Sequence, residues 1–246
     1  IMFPQRVNVI EPPDHGSPPE MEYMRLETPD GAVLNGLGFN VRTSVSTVVI
    51  ALGGNAHDVT GMVRFLRDEV FPEADVAVVG YSYRGYPNAL NRPSTGVPGQ
   101  GALEADAVAI YDDVVGRLKP AKVVVVGYSL GTAFATFVAT QRKVDSLILA
   151  APFASMVALA QSRYKVFPAR WMVRHPLDTE AILGKVAALT TLVYSEQDGL
   201  IPLSHIGRLQ AVAPRANVVA LTPPVGHGDV LNHGDIPRLF RAAAGF

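Results

Sequence analysis

No cysteine occurs anywhere in the sequence. That excludes disulfides, thiolate metal sites and cysteine nucleophiles, and it leaves the compartment unread, because absence suits cytosol and export alike. Charge is also sparse: 17% of residues are charged, the formal net charge is −1, and no long run of one sign appears. Such a balance argues against nucleic acid or an anionic membrane surface as the main partner. Repeats and low-complexity segments are lacking. The six histidines show no H-x-x-x-H or similar ligand spacing, so no metal is expected. The longest uncharged run, 123–141, approaches transmembrane length, but Gly127, Ser129, Gly131 and several threonines break it. It reads as a buried strand followed by a helix.

What is present is apolar: 48% of the 246 residues, enough for one large α/β domain with a substantial core. Residues 1–20 are proline-rich and read as an extended arm, ahead of a domain over 21–246. Residues 21–27 and 32–39 form an expected antiparallel hairpin across Thr28-Pro29-Asp30-Gly31. Strands then alternate with helices, which predicts a mostly parallel sheet covered on both faces. Strands are expected at 47–52, 75–81, 123–128, 146–151, 190–195 and 217–221. Helices are expected at 60–69, 102–118, 203–212 and 236–244, with another after residue 131. The loop 82–100 is long for a compact domain, which makes it a candidate rim of the active site. Residues 152–189 fit no simple crossover and are expected to form a small cap.

The chemistry concentrates at 123–131, VVVVGYSLG. Four β-branched residues run into Gly127-Tyr128-Ser129-Leu130-Gly131, and a helix-compatible stretch follows. This is G-x-S-x-G in the strand–turn–helix context that gives the pattern meaning. Ser129 is the expected nucleophile, on a strained turn that needs small flanking residues. The N–H of Leu130, at a helix N-terminus, is an expected oxyanion donor. A second donor is expected from Gly53-Gly54-Asn55-Ala56, with Asn55 favoured and Ala56 next. The base and its orienting acid follow in chain order: Asp198 after one strand, His227 in V-G-H-G-D after the last. Glu196 is a rival acid and His57 a rival base. Met156 and Trp171 of the cap, with Tyr128 and Ala56, are offered as substrate contacts; the cap residues serve equally as ordinary packing.

From about residue 21 onward the chain resembles the α/β-hydrolase superfamily, in particular its single-domain serine aminopeptidase-like and ABHD-type esterases. The matching stretches are T-P-D-G, GGNAHD, YSYRGYPNALNRPSTGVPGQGALEAD, GYSLG, SEQDGLIP and VGHGD. Gly53 stands where that family usually has His, and Pro87 where it usually has Gly. The resemblance implies an α/β-hydrolase fold, structural roles for Arg84 and Asp106, a small-molecule acyl ester substrate and no cofactor. It also allows a membrane anchor upstream of Ile1, none being visible in the sequence itself. Oligomeric state is left open. An aminopeptidase-like reading needs a carboxylate for the substrate α-amine, for which Asp178 and Glu180 are on offer. A non-catalytic binding protein on the same fold is the rival from another class.

Overall fold

The computed structural model describes residues 21–42, 45–55, 57–164 and 168–246. The expected arm 1–20 and the candidate substrate contact Ala56 lie outside the described residues. The protein is an α/β fold of eight strands, mostly parallel with an antiparallel N-terminal hairpin, flanked by helices. Its contacts divide it into two compact units, Ile1–Val125 and Val126–Phe246.

In the first unit β1 (Met21–Glu27) pairs antiparallel with β2 (Val33–Phe39), with Leu26 opposite Leu34. The turn closes as its residues dictate: Gly31 takes φ +83°, and the Thr28 N–H donates to the Ala32 carbonyl at 2.8 Å. β2 is antiparallel to β4 (Val76–Tyr81), and β4 is parallel to β3 (Thr47–Leu52). β3 and β4 are buried at every position, as strands covered on both faces require. Each valine so buried is worth about 1.5–3 kcal/mol over its exposed state. α1 (Val59–Phe65) starts on an Asp58 cap, and the expected single helix over 60–69 instead closes with a π turn, Leu66–Val70. α2 (Gln100–Leu118) buries the apolar stripe Leu103, Ala107, Ile110 and Val114.

The long loop 82–99 is held at several points by hydrogen bonds. Arg84 donates through Nε to Asp106 Oδ2 and through Nη1 to Asp30 Oδ2, each at 2.7 Å. Those bonds hold the Asp30 carboxyl well below the usual carboxylate range. The Tyr83 hydroxyl donates to the Gly53 carbonyl and the Tyr86 hydroxyl to Asn55 Oδ1, both at 2.7 Å, so this loop braces the turn after β3.

Strand β5 (Lys122–Tyr128) begins in the first unit and ends in the second. The second unit continues with α3 (Gly131–Gln141) and β6 (Ser146–Ala150). The expected cap resolves into three short helices: α4 (Met156–Arg163), α5 (Ala169–Met172) and α6 (Thr179–Leu183). Then come β7 (Leu189–Tyr194), α7 (Leu203–Val212), β8 (Asn217–Ala220) and α8 (Ile236–Ala244). β6, β7 and β8 run parallel in that order, with α3 on β6 and α8 against β6 and β7. Among the described residues no helix is long and apolar enough to cross a membrane; the run 123–141 divides between β5 and α3, as expected.

Candidate active site

Ser129 sits where β5 turns into α3, at φ +51°. A non-glycine residue in that region costs on the order of 1–3 kcal/mol unless its surroundings hold it there. Here they do: the Ser129 N–H donates to the Ala150 carbonyl at 2.9 Å, and its own carbonyl accepts from the Thr132 hydroxyl at 2.6 Å. Gly127 is required by space. A Cβ there would lie 2.7 Å from the Gly131 carbonyl oxygen and 2.8 Å from Thr132 Cα. The turn therefore forms only because position 127 has no side chain.

His227 Nε2 lies 2.9 Å from Ser129 Oγ, and its Nδ1 lies 2.7 Å from Asp198 Oδ2. Asp198 as a carboxylate can only accept, so Nδ1 carries the proton and Nε2 is left to accept from the serine hydroxyl. The Asp198 side chain is buried and that of His227 keeps 19% of its exposure, enough for a substrate to reach the imidazole edge. The other oxygen of Asp198 accepts from the Leu200 and Ile201 N–H groups, each at 2.8 Å. Burial works to raise the Asp198 carboxyl, but the bonds from His227 and those two amides outweigh it, and the net shift is downward. Beside Ser129, the Leu130 N–H has no hydrogen-bond partner among the described residues and lies at the start of α3, where the helix dipole favours an anion.

Tyr128, offered above to the substrate, is engaged with the histidine. Its hydroxyl donates to the His227 carbonyl at 2.7 Å, and its ring stacks on the imidazole at 5.7 Å between centroids. Burial, with the Asp198 and Asp229 charges, pushes the phenol up to about 12, so it stays a donor. Sequence reasoning also missed Ser195. This buried residue bonds both backbone groups of Val225, tying the loop that carries Asp198 to the one that carries His227. Its only signal was a serine ending a strand, which reads as the strand's last residue. His233 likewise spans its loop, Nε2 to the Pro223 carbonyl at 3.0 Å and Nδ1 accepting from the Asp235 N–H.

The remaining candidates fall elsewhere. Met156 opens α4 half-buried, whereas Trp171 on α5 is 77% exposed. Asn55 lies in the first unit, its side chain accepting from Tyr86. Position 53 has room for a side chain: a Cβ on Gly53 would meet only ordinary contacts, the nearest at 3.6 Å. Glu196 is exposed on its loop, while Asp198 makes the contact to His227. Glu180 is paired with Arg208, and Asp178 caps α6 by accepting from the Ala181 N–H at 3.1 Å. Among the described residues no group of three or more acidic or histidine side chains is placed to hold a metal.

No protein-family model matches the chain. A Mycobacterium tuberculosis protein described as uncharacterized is 30% identical over 210 residues, which is 83% of this chain and 71% of that protein. The lysophosphatidylserine lipase ABHD12 of Xenopus tropicalis is 27% identical over 179 residues, covering 65% of this chain and 45% of its own length. Among solved structures, the Pyrococcus furiosus esterase Pf2001 aligns with a TM-score of 0.71 at 17% identity, over 100% of this chain and 95% of that one. An α/β hydrolase from Vibrio vulnificus aligns with a TM-score of 0.72 at 19% identity, over 93% and 82%. At such identities these two likenesses are of fold. Taken with the mixed sheet and the serine elbow, they and the sequence relatives establish that the chain belongs to the α/β-hydrolase superfamily.

Proposed function

We propose that the protein is a serine hydrolase that cleaves carboxylic esters or thioesters through an acyl-enzyme. The observation that carries this reading is the continuous chain Ser129 Oγ, His227, Asp198 at 2.9 and 2.7 Å. In the first half-reaction Ser129 Oγ attacks the acyl carbon while its proton passes to His227 Nε2. The tetrahedral oxyanion meets the Leu130 N–H. His227 then gives its proton to the departing alcohol or thiol as the bond to the acyl carbon breaks. Water attacks the acyl-serine, His227 takes its proton, and the acid leaves as that proton returns to Ser129 Oγ. Asp198 holds the imidazole in the Nδ1–H form throughout and stabilises the transient imidazolium.

The carboxylates support an ester rather than a peptide substrate. A peptide α-amine needs a free acid, and Glu180 and Asp178 are already engaged with Arg208 and with the α6 N-terminus. The named activities of ABHD12 and Pf2001, a lipase and an esterase, support the same class. Met156 stays the candidate acyl contact. Intact-mass measurement after fluorophosphonate treatment tests the reading. One adduct on the parent and none on Ser129→Ala is expected. No adduct on a folded parent would sink the proposal and favour a binding protein on the hydrolase fold.

A further inference from the structure

The cap presents apolar side chains that its own packing does not use. Trp171 is 77% exposed, Met172 68% and Tyr164 60%. None of α4 is buried and only Ala169 of α5 is. Clustered exposure of this kind marks a surface that something else covers. Along the sequence here the charge is one-sided. From 146 to 177 the sequence carries Arg163, Lys165, Arg170 and Arg174 and neither aspartate nor glutamate. Arg163, Arg170 and Arg174 are exposed, and the Arg170 guanidinium lies 5.0 Å from the centre of the Trp171 ring. The acids that follow are engaged elsewhere, Asp178 at the α6 cap and Glu180 with Arg208.

Aromatic and methionine side chains interspersed with arginines form a face of interfacial type. The indole settles at the boundary between headgroups and acyl chains, and the guanidiniums meet anionic headgroups. A second copy of the chain fits less well, because symmetric contact would bring these cations against one another. We propose that the α4–α5 face of the cap, centred on Trp171, docks on an anionic lipid surface. The whole-chain charge of −1 does not oppose this. Screening confines electrostatic attraction to roughly 8 Å at physiological salt, so the membrane responds to the local patch rather than to the total. The proposal is independent of the hydrolase reading, since it uses no atom of the Ser129 site.

Trp171 is the only tryptophan in the chain, so its fluorescence reports on this face directly. The full chain is mixed with phosphatidylcholine vesicles containing or lacking phosphatidylglycerol, and emission and co-sedimentation are followed. A blue shift and quenching by brominated acyl chains are expected with the anionic vesicles. The effect should be weaker on pure phosphatidylcholine and reversed by high salt. Arg170→Gln and Arg174→Gln should each lower partitioning about fivefold, and Ser129→Ala should leave it unchanged. Trp171→Ala, followed by sedimentation, should lower it too. Absence of a shift on anionic vesicles, or equal binding to neutral ones, would overturn the proposal. A blue shift that grows with protein concentration and needs no vesicles would overturn it in favour of self-association.

Discussion

Replacing Ser195 by alanine tests how the acid-bearing and base-bearing loops hold one another. Ser195 follows β7, and its hydroxyl donates to the Val225 carbonyl at 2.5 Å while accepting from the Val225 N–H at 2.8 Å and the Gln197 N–H at 3.3 Å. One donor and two acceptor sites are all a hydroxyl offers, and all are used. Asp198 lies three residues beyond Ser195, and His227 two beyond Val225. Alanine removes one oxygen and orphans both backbone groups of Val225. A buried orphan costs about 1–3 kcal/mol. Val225 is half-buried, so water recovers part of that, and the expected loss of stability is about 2 kcal/mol. In a chain of this size that lowers Tm by about 4–8 °C. Slackening between the loops also misplaces the imidazole relative to Asp198 and Ser129. Misplacement on the order of 1 Å costs about 10²-fold, so kcat on a p-nitrophenyl ester should fall by about 10- to 100-fold. Calorimetry and steady-state kinetics on the purified variant measure both effects. An unchanged Tm together with an unchanged kcat would refute the clamp, whereas a lower Tm with full kcat would confine it to stability.

Other perturbations have equally definite outcomes. Asp198→Asn should cut kcat by about 10⁴-fold by favouring the wrong histidine tautomer; near-parental turnover would remove Asp198 from the proposed mechanism. The same variant should flatten the acid limb of stability. A carboxyl held below its unfolded value near 3.9 stabilises the fold above that pH and loses the contribution as pH falls through the folded value. Gly127→Ala should destabilise by about 1–3 kcal/mol through contact with the Gly131 carbonyl and Thr132, and fluorophosphonate labelling of Ser129 should slow with it; a Tm equal to the parent's would mean the elbow yields freely. Burial lowers the His205 pKa, and its Nδ1 accepts from the Ala154 N–H at 3.0 Å. The unfolded state therefore binds the proton first, and stability present above about 6.5 declines as pH drops toward the folded value. His205→Asn, which keeps an acceptor on the side chain, should reduce that decline; an identical pH–Tm profile would show that His205 does not contribute.

The correspondence between sequence and structure is closest where burial is continuous or the backbone demands one residue type. β3 and β6 lie within a residue of their expected bounds because short apolar runs flanked by turn residues have few other places to go. Less of α1 was legible: its apolar spacing suits an α-helix over 60–69, but the end winds wider as a π turn at Leu66–Val70. The length of loop 82–99 carries no sign of its hydrogen bonds, which make it a brace through Arg84, Tyr83 and Tyr86.

Hydrophobic periodicity records which face of an element is buried and nothing about which distant residue meets it. From the sequence alone came the α/β architecture, the elbow at Ser129 and the order Ser129, Asp198, His227, because each is written in local pattern and spacing. The tertiary structure adds the contact that separates Asp198 from its rival Glu196, since both carboxylates leave β7 on the same short loop. It alone placed Tyr128 against the imidazole and Ser195 across to Val225, contacts spanning 99 and 30 residues. It alone set Trp171 facing outward, because an apolar side chain in a short helix carries no local mark of whether a core or a solvent lies above it.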